Sequence, residues 1–352
     1  MADYRSGKIR VLVVDDSILA RKVIIDGLSA RRNLEVVGYA INAIDAKNKV
    51  KQLKPDVMTL DVQMPGVTGL EFLKSFLPEY PLPVVLVSAL NLGVFDALHA
   101  GAVDFVRKPD GDVSTEIFVR TLASKVVEAS KAKVKVQKNP ASSAAVPGAA
   151  SLGSAVSGRI IIGLGASTGG TEATLEVMKR LPEDIPGMVI VQHMPTGFTK
   201  MYAERLNKLC RMEVREAKDG DEVKRGLALV APADLQCRIL RSPLGGYRVS
   251  CQPGERVSGH RPSVDALFHS MAQNVRCQMC GIIMTGMGRD GASGLLAMRK
   301  KGAYTIGQDE ESCVVYGMPR VAYDIGAVAV QASCKDISTA LLRHLRSQPG
   351  GR

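Results

Sequence analysis

The sequence has 352 residues, of which 46% are hydrophobic and 23% charged, and its formal net charge is +11. This length suggests about two domains, and the composition is that of a globular protein with enough apolar residues for two cores. No apolar run approaches the roughly 20 residues that a membrane-spanning helix needs, and residues 1–8 lack the apolar stretch of a signal peptide. We therefore expect a cytoplasmic protein without membrane insertion.

The first part of the chain alternates short apolar runs with amphipathic stretches, a pattern that predicts strands alternating with helices. Such alternation is typical of a parallel sheet that is covered on both faces. The predicted strands are 9–14, 36–39, 57–60, 84–87 and 105–106, and the predicted helices are 19–28, 44–53, 70–77, 94–100 and 113–133.

Charged and polar residues follow four of these strands, where the carboxyl ends of a parallel sheet gather functional groups. They are Asp15 and Asp16, Asp61, Ser88 and Lys108. Three converging carboxylates repel one another and require a cation, and hard oxygen ligands favour Mg²⁺. Asp61 would then accept a phosphoryl group, whose charge Ser88 and Lys108 would stabilise. Taken singly, each residue is better explained structurally, with Asp15 and Asp16 as helix caps and Lys108 as a solvated side chain. That explanation does not account for all four strand ends together.

The motifs VLVVDDS, TLDVQMPGVTGLEFL, LVSAL and AVDFVRKP carry these residues and resemble response-regulator receiver domains over residues 8 to about 127. The resemblance implies a flavodoxin-like fold with a parallel five-stranded sheet, phosphorylation at Asp61 and a Mg²⁺ cofactor. The metal residues that it implies are Asp15, Asp16, Asp61 and the backbone carbonyl of Gln63, and the switch residues are Ser88 and Phe105.

A change of composition separates the two halves of the chain. Residues 139–158 read NPASSAAVPGAASLGSAVSG, which contains no charge and almost only small residues. Such a segment cannot build a core and is typical of a flexible linker. We expect a receiver domain over residues 1–130, a linker over 131–158 and a catalytic domain over 159–346.

The second half returns to the alternating pattern and predicts another doubly wound α/β domain. The predicted strands include 160–163, 189–192 and 282–284, with several more between 227 and 252, and the predicted helices are 171–180, 200–209, 264–271 and 292–300.

Three residues at the ends of these strands form a candidate catalytic triad. Ser167 lies in Gly-Ala-Ser-Thr-Gly, a G-x-S-x-G turn between strand and helix that exposes a serine hydroxyl. A serine nucleophile needs a base, and His193 directly follows the strand VIVQ. Asp290, in the glycine-rich loop TGMGRDG after another strand, would orient that base. The order Ser, His, Asp differs from that of ordinary α/β-hydrolases.

Two other interpretations compete with the triad. Gly163, Gly165 and Gly169 also fit a dinucleotide-binding turn, but that site needs an acidic residue after the next strand, and this strand ends in Gln192–His193. The basic charge suggests a receiver with a DNA-binding output, but no helix-turn-helix or basic reading helix follows the linker.

The motifs GLGASTGG, VQHMPTGFTKMYAERL, GHRPSVDALF, TGMGRDGASGLLAM and GQDEESCVVYGMPR resemble the chemotaxis methylesterase (CheB) family over about residues 159–329. The resemblance implies Ser167 as nucleophile, His193 as base, Asp290 as its partner and the Met287 backbone N–H as oxyanion donor. It also implies that a phosphorylation-regulated enzyme hydrolyses glutamate γ-methyl esters on methyl-accepting chemotaxis receptors, and that some members deamidate receptor glutamines.

The resemblance implies no cofactor for the esterase chemistry, a chemotaxis-type histidine kinase as phosphodonor and no nucleic-acid partner. We expect a monomer, and a methylated protein other than a chemoreceptor stays open as substrate. One segment departs from the family pattern, which has an Ala-Pro-Gly turn and then a histidine where this chain has residues 231–236, APADLQ. That departure leaves substrate engagement there open, while His260 and Arg261 of the HRPSVD motif fit either a cleft or a structural role.

Overall fold

The computed structural model describes residues 7–89, 93–110, 114–134, 151–153 and 160–347. The chain divides into two compact units, Met1–Ser142 and Ser143–Arg352, each with its own sheet. Most of the predicted linker lies outside the described residues, as does Val113, at which the last helix of the first part was predicted to begin.

The first unit contains a five-stranded parallel sheet with the order β2-β1-β3-β4-β5, which confirms the predicted flavodoxin-like α/β fold. Its strands are β1 (Ile9–Val14), β2 (Leu34–Ala40), β3 (Val57–Asp61), β4 (Val84–Ser88) and β5 (Asp104–Arg107). Its helices are α1 (Ile18–Ser29), α2 (Ala43–Leu53), α3 (Gly69–Phe76), α4 (Gly93–His99) and α5 (Thr115–Ala129).

Local capping places helices close behind the strands that end in carboxylates. Ser17 accepts a hydrogen bond from the Ala20 N–H and begins α1 two residues after Asp15. Thr68 and Glu71 form a capping box at the start of α3. The strand order reverses between β1 and β3, and a crevice therefore opens at their carboxyl ends.

The second unit contains a seven-stranded parallel sheet with the order β14-β13-β12-β6-β7-β9-β8 and a separate antiparallel hairpin, β10-β11. The strands are β6 (Ile160–Ala166), β7 (Met188–Gln192), β8 (Glu213–Glu216), β9 (Leu227–Val230), β10 (Gln236–Arg241), β11 (Tyr247–Gln252), β12 (Gln278–Ile283), β13 (Tyr304–Gln308) and β14 (Val330–Ala332). The helices are α6 (Gly170–Met178), α7 (Phe198–Leu209), α8 (Val264–Asn274), α9 (Ala292–Lys300), α10 (Met318–Asp324) and α11 (Ile337–Ser347).

Glycines in β6 bring α8 unusually close to the centre of this sheet. A Cβ atom at Gly165 would lie 2.1 Å from the Val264 side chain, and one at Gly163 would lie 2.6 Å from Met271 Sδ. The strand order reverses between β6 and β12, so the crevice of this sheet opens at their carboxyl ends. The close approach therefore places the N-terminus of α8 at that crevice.

The predicted strands and helices all occur, with boundaries that differ by a few residues. The strands β8, β13 and β14 and the helices α10 and α11 were not predicted. Three residues of the predicted linker, Ser151–Gly153, belong to the second unit and are bonded there to Asp184 and Arg225. None of the described helices is both long and apolar enough to span a membrane.

Candidate active site and acidic cleft

Ser167 lies in a tight turn directly after β6, and only 5% of its surface is exposed. The Gly170 N–H donates to the Ser167 carbonyl over 2.7 Å, and the Ser167 N–H donates to the Thr285 carbonyl over 3.0 Å. Gly169 adopts a φ of +75°, which favours glycine because it has no Cβ. These contacts fix the serine at the carboxyl end of the central strand.

His193 occupies the register position beside Ser167, directly after β7. Ala166 pairs with Gln192 in the sheet, and the His193 N–H donates to the Ala166 carbonyl over 3.1 Å. The Gln192 side-chain amide donates to the carbonyls of Ser167 (2.8 Å) and His193 (3.1 Å). This amide joins the ends of β6 and β7. A dinucleotide-binding site needs an acidic residue here to bind the ribose, and Gln192 occupies that position, so the residue required by the dinucleotide interpretation is missing.

The His193 ring bonds Asp290 through Nε2, at 2.8 Å from Oδ2. Because an ionised carboxylate can only accept a hydrogen bond, the neutral ring carries its proton on Nε2 and a lone pair on Nδ1. Nδ1 is buried and has no hydrogen-bond partner among the described residues. It is therefore the nitrogen left to accept a proton from Ser167, to which it is not hydrogen-bonded in this structure.

Asp290 is 1% exposed and accepts four hydrogen bonds, three of them from the start of α8. Oδ1 accepts from Ser263 Oγ (2.7 Å) and the Asp265 N–H (3.0 Å), and Oδ2 accepts from the Val264 N–H (2.7 Å) and His193. The N-terminus of a helix favours negative charge. The position of α8 thus fixes the carboxylate that orients His193.

These contacts also set the ionisation of Asp290. Burial alone would raise the pKa of its carboxyl group. The hydrogen bond and charge of His193, with the hydrogen bonds from Ser263 and the Asp265 N–H, outweigh burial and hold the pKa below its usual value. Asp290 is therefore an anion at neutral pH and can stabilise a protonated His193.

The glycine-rich loop after β12 brings Met287 close to Ser167. A Cβ at Gly286 would lie 2.7 Å from Ser167 Cβ, so the backbone of this loop touches the serine. The Gly286 N–H donates to the Val315 carbonyl (3.0 Å), whereas the Met287 N–H donates no hydrogen bond within the described part of the chain. A backbone donor beside the nucleophile is what an oxyanion site requires.

The segment at 231–236, where the family pattern differs, binds the HRPSVD motif. Asp234 accepts a hydrogen bond from Arg261 Nε over 3.0 Å. Gln236 is fully buried; its amide donates to the His260 carbonyl (3.0 Å) and its Oε1 accepts from the Ser263 N–H (3.0 Å). The ring of His260 stacks on that of His193. This segment therefore supports the candidate triad, and His260 lies in the cleft.

Several supporting residues were not identified from the sequence, chiefly Gln192, Gln236, Ser263 and Thr285. Ser263 had a signal, because a serine before a predicted helix is a typical N-cap. The two glutamines had none, because their partners lie on distant segments of the chain.

In the first unit, three carboxylates meet at the crevice between β1 and β3. Ligand oxygens of Asp15, Asp16 and Asp61 all lie within 4.8 Å of one another. Lys108 Nζ lies 2.6 Å from Asp61 Oδ2 and 3.1 Å from Asp15 Oδ2. Gln63 contributes its N–H to Asp61 Oδ1 over 3.0 Å. Within the described part of the chain, Lys108 is the cation paired with the carboxylates of Asp15 and Asp61.

The electrostatics of this cleft fit a bound divalent cation. Burial raises the pKa of Asp61 above its usual value, aided by the charge of Asp15 and opposed by hydrogen bonds from Lys108 and the Gln63 N–H. Burial also opposes the charge on Lys108, but Asp61 and Asp15 raise the pKa of its ammonium group. Clustered carboxylate oxygens with an excess of negative charge are the donor set that a hard divalent cation binds.

The predicted switch residues lie on the neighbouring strands. Ser88 ends β4, is fully buried and donates to the Ala89 carbonyl over 2.9 Å, while its own carbonyl accepts from the Lys108 N–H over 2.8 Å. Phe105 in β5 is buried and packs edge-on against Phe95, with ring centroids 6.3 Å apart. Within the described residues, neither side chain is bonded to Asp61.

Together, the two folds and their sites define a receiver domain joined to an α/β hydrolytic enzyme. Residues 11–117 match the family model of the response regulator receiver domain, and residues 162–341 match that of CheB methylesterase. The chain belongs to the CheB methylesterase family.

Known relatives span almost the whole chain. It is 51% identical to protein-glutamate methylesterase/protein-glutamine glutaminase 2 of Syntrophomonas wolfei, over 96% of this chain and 98% of that protein. It is 42% identical to the Salmonella typhimurium protein-glutamate methylesterase/protein-glutamine glutaminase, over 95% and 96%. The crystal structure of the Thermotoga maritima CheB methylesterase catalytic domain, 33% identical, superposes with a TM-score of 0.51 and covers 54% of this chain and all of that one.

Proposed function

We propose that the protein hydrolyses glutamate γ-methyl esters on methyl-accepting chemotaxis receptors, with Ser167 as nucleophile, and that phosphorylation at Asp61 regulates this activity. The relatives' names supply the protein-glutamate ester as substrate class. The observation that carries the catalytic assignment is the bond between His193 and Asp290 beside Ser167, at the crevice where the sheet order reverses.

In the first step, Ser167 Oγ attacks the ester carbonyl and His193 Nδ1 takes the hydroxyl proton. Asp290 holds the Nε2–H and stabilises the imidazolium that forms. The tetrahedral intermediate carries its negative charge on the former carbonyl oxygen, toward which the Met287 N–H would donate.

The intermediate then collapses. The carbon–oxygen bond to the methoxy group breaks, His193 returns the proton to that group, and methanol leaves. Water, deprotonated by His193, then attacks the glutamyl ester of Ser167. The bond between the acyl carbon and Ser167 Oγ breaks, His193 returns the proton to that oxygen, and the glutamate side chain is released. The same steps on a glutamine side chain would release ammonia, and the glutaminase part of the relatives' names supports this second activity at the same site.

In the receiver domain, Asp61 would take the phosphoryl group from a histidine kinase of the chemotaxis type. Asp15, Asp16, Asp61 and the Gln63 carbonyl would hold Mg²⁺, which supplies charge neutralisation for the transferred phosphoryl group. Lys108, within hydrogen-bond distance of Asp61, would bind a phosphate oxygen. Ser88 and Phe105 would change conformation on phosphorylation and so transmit it to the rest of the molecule. We propose a cytoplasmic monomer with the domain limits 1–130 and 159–346.

The test measures methanol release from membranes that carry methylated chemoreceptors, comparing the wild type with Ser167→Ala and Ser347→Ala. Ser347 is an exposed serine at the end of α11, which makes it a matched control. We expect methanol release from the wild type and from Ser347→Ala. The rate of Ser167→Ala should be lower by at least about 10³-fold, because loss of the nucleophile removes the covalent route.

Methanol release by Ser167→Ala at the wild-type rate would contradict the assignment of the nucleophile. If receptor membranes yield no methanol while another methylated protein does, the chemistry stands and the proposed substrate does not.

A further inference from the structure

Within the described residues, the ring of the base His193 makes a single hydrogen bond, at one edge. Its backbone is fixed by Ala166 and Gln192, and its Nε2 bonds Asp290. One bond at Nε2 leaves the ring able to tilt about the axis that runs from Cβ through the ring. A tilt moves Nδ1 away from Ser167, so accurate proton transfer requires a second contact that fixes the plane of the ring.

His260 makes that contact with the face of the His193 ring. The centroids of the two imidazoles lie 3.8 Å apart, and their planes differ by 7°. The rings are therefore parallel and in van der Waals contact over the face. Such a contact resists tilting of His193 without using either of its nitrogens.

His260 is itself fixed by a tight turn. Val257 and His260 exchange two backbone hydrogen bonds, of 3.1 and 2.9 Å, across Ser258 and Gly259. Those two residues have φ values of +52° and +83°, the left-handed conformations of a type I′ turn. The Ser258 hydroxyl donates to Asp265 Oδ2 over 2.8 Å, which stabilises a conformation that is unfavourable for a residue other than glycine.

The buried amide of Gln236 links this turn to the partner of His193. It binds the His260 carbonyl on one side and the Ser263 N–H on the other. Ser263 in turn donates to Asp290 over 2.7 Å. One short segment, 260–265, thus controls both the face of the His193 ring and the carboxylate at its edge.

We propose that His260 is a positioning residue that holds the plane of the His193 ring for proton transfer from Ser167, and that Gln236 fixes it there. The inference rests on the proposed ester hydrolysis and adds a residue to it. His260 acts through its flat ring and transfers no proton. A flat apolar ring at position 260 should therefore preserve the activity, whereas a small side chain should not.

The test compares His260→Ala and His260→Phe in the full-length chain. We expect His260→Ala to lower kcat about 10- to 100-fold with little change in KM, because misplacing a reacting group by about 1 Å costs up to that much. His260→Phe should stay within about threefold of the wild type, because it retains the stacked face.

A second pair of stacked rings provides the control. His344 stacks on Tyr304 with centroids 3.9 Å apart and planes 4° apart, at the opposite end of the sheet from Ser167. His344→Ala removes an equivalent ring contact, and we expect its kcat to be unchanged. A comparable loss of kcat in His344→Ala would show that His260→Ala acts through stability alone and would overturn the proposal.

A measurement on the ring itself separates this inference from the proposed function. In protein with ¹⁵N-labelled histidine, the Nε2–H signal of His193, assigned by its loss in His193→Gln, should be sharp in the wild type and His260→Phe and broadened in His260→Ala. An unchanged signal and kcat in His260→Ala would overturn the proposal, as would a His260→Phe variant as slow as His260→Ala. A wild type that releases no methanol contradicts the proposed function, while the Nε2–H signal still decides the role of His260.

Discussion

Ser167 occupies a turn in which several backbones approach one another more closely than side chains would allow. Gly165 admits Val264 from α8, and Gly286 admits the serine itself. Such contacts exclude a Cβ for steric reasons and not through backbone conformation, because neither glycine has a positive φ. Gly165 and Gly286 thus serve the close packing of three segments around the site.

Gly286→Ala should reduce activity while leaving the fold intact. The added Cβ would lie 2.7 Å from Ser167 Cβ and 2.5 Å from Met318 Sδ, and the serine backbone cannot move as the methionine side chain can. We expect kcat to fall about 100-fold, the cost of displacing a reacting group by about 1 Å. Methanol release and circular dichroism measure the two effects.

Gly254→Ala is the matched control, because a Cβ there would meet only Gln236 Cγ at 3.7 Å, an ordinary contact. Its activity should match the wild type. Full activity in Gly286→Ala would mean that the loop carrying Met287 does not need to touch the nucleophile.

Ser167, His193 and Asp290 were selected from the sequence because each follows a predicted strand, and parallel strands end at the same edge. Which ring nitrogen of His193 faces Asp290 was not predictable, because it depends on the approach of α8 from a segment about 70 residues away. The stacking of His260 on His193 depends on the same approach.

Among the structural elements, a short part of the predicted linker is anchored to the catalytic domain. The Ser151 hydroxyl and the N–H groups of Leu152 and Gly153 donate to Asp184, and Arg225 bonds both Asp184 and the Gly153 carbonyl. Leu152 is buried. The charge-free composition of residues 139–158 predicted a flexible linker throughout and contained no signal for this anchor.

Asp184→Asn should lower the thermal stability of the second unit in a pH-dependent way. Although burial opposes its charge, the hydrogen bonds from Ser151, the Leu152 N–H and Arg225 lower the pKa of Asp184 from 3.8 to about 2. A depressed pKa in the folded state stabilises the fold above the unfolded value and loses that effect as the pH falls.

At pH 7 we expect Tm to drop by about 2–4 °C, the equivalent of about 1 kcal/mol for a domain of this size. The difference from the wild type should shrink between about pH 4 and pH 2, whereas Glu183→Gln, an exposed neighbour, should have no effect. A difference in Tm that is the same at pH 7 and pH 2 would rule out a role for the Asp184 charge.

The predicted helices and strands share one property: a clear periodic pattern of apolar residues next to a glycine or a capping residue. The strands β8 and β14 lack it, since β8 reads EVRE and β14 has only three residues. Both lie at the edges of the sheet, where a strand pairs on one side only. Pairing with β9 and β13, and not local composition, makes these residues strands.

At the scale of the whole molecule, both units use the same principle. In each, a parallel sheet reverses its strand order once, and the chemistry lies at the carboxyl ends beside the reversal. The acidic cleft follows β1 and β3, and the candidate triad follows β6, β7 and β12. The proposed regulatory site and the candidate catalytic site thus arise from two separate sheets in one chain.

Phosphorylation of the receiver should raise esterase activity. If the unphosphorylated receiver holds about 90% of molecules inactive, a small acyl phosphate with Mg²⁺ should increase methanol release up to about tenfold by shifting that population. Asp61→Asn should not respond, because it lacks the phosphoryl acceptor. Methanol release with and without the phosphodonor measures the change.

Two controls accompany this prediction. Asp26→Asn alters an exposed carboxylate on α1 and should respond as the wild type does. Chelation of Mg²⁺ should abolish the response to the phosphodonor and leave basal activity intact. An Asp61→Asn variant that is still activated would place the regulation outside the acidic cleft.

The sequence alone predicted the two α/β domains, the acidic cleft and the candidate triad. This was possible because strand periodicity, and the residues that follow each strand, can be recognised in short stretches of sequence. The parallel topology then brings the ends of these strands to one edge of the sheet. The orientation of His193, the ring that stacks on it and the support from segment 231–236 became visible in the folded chain. Those contacts join residues far apart in the chain, and their geometry depends on how closely the glycines of β6 allow α8 to approach the sheet.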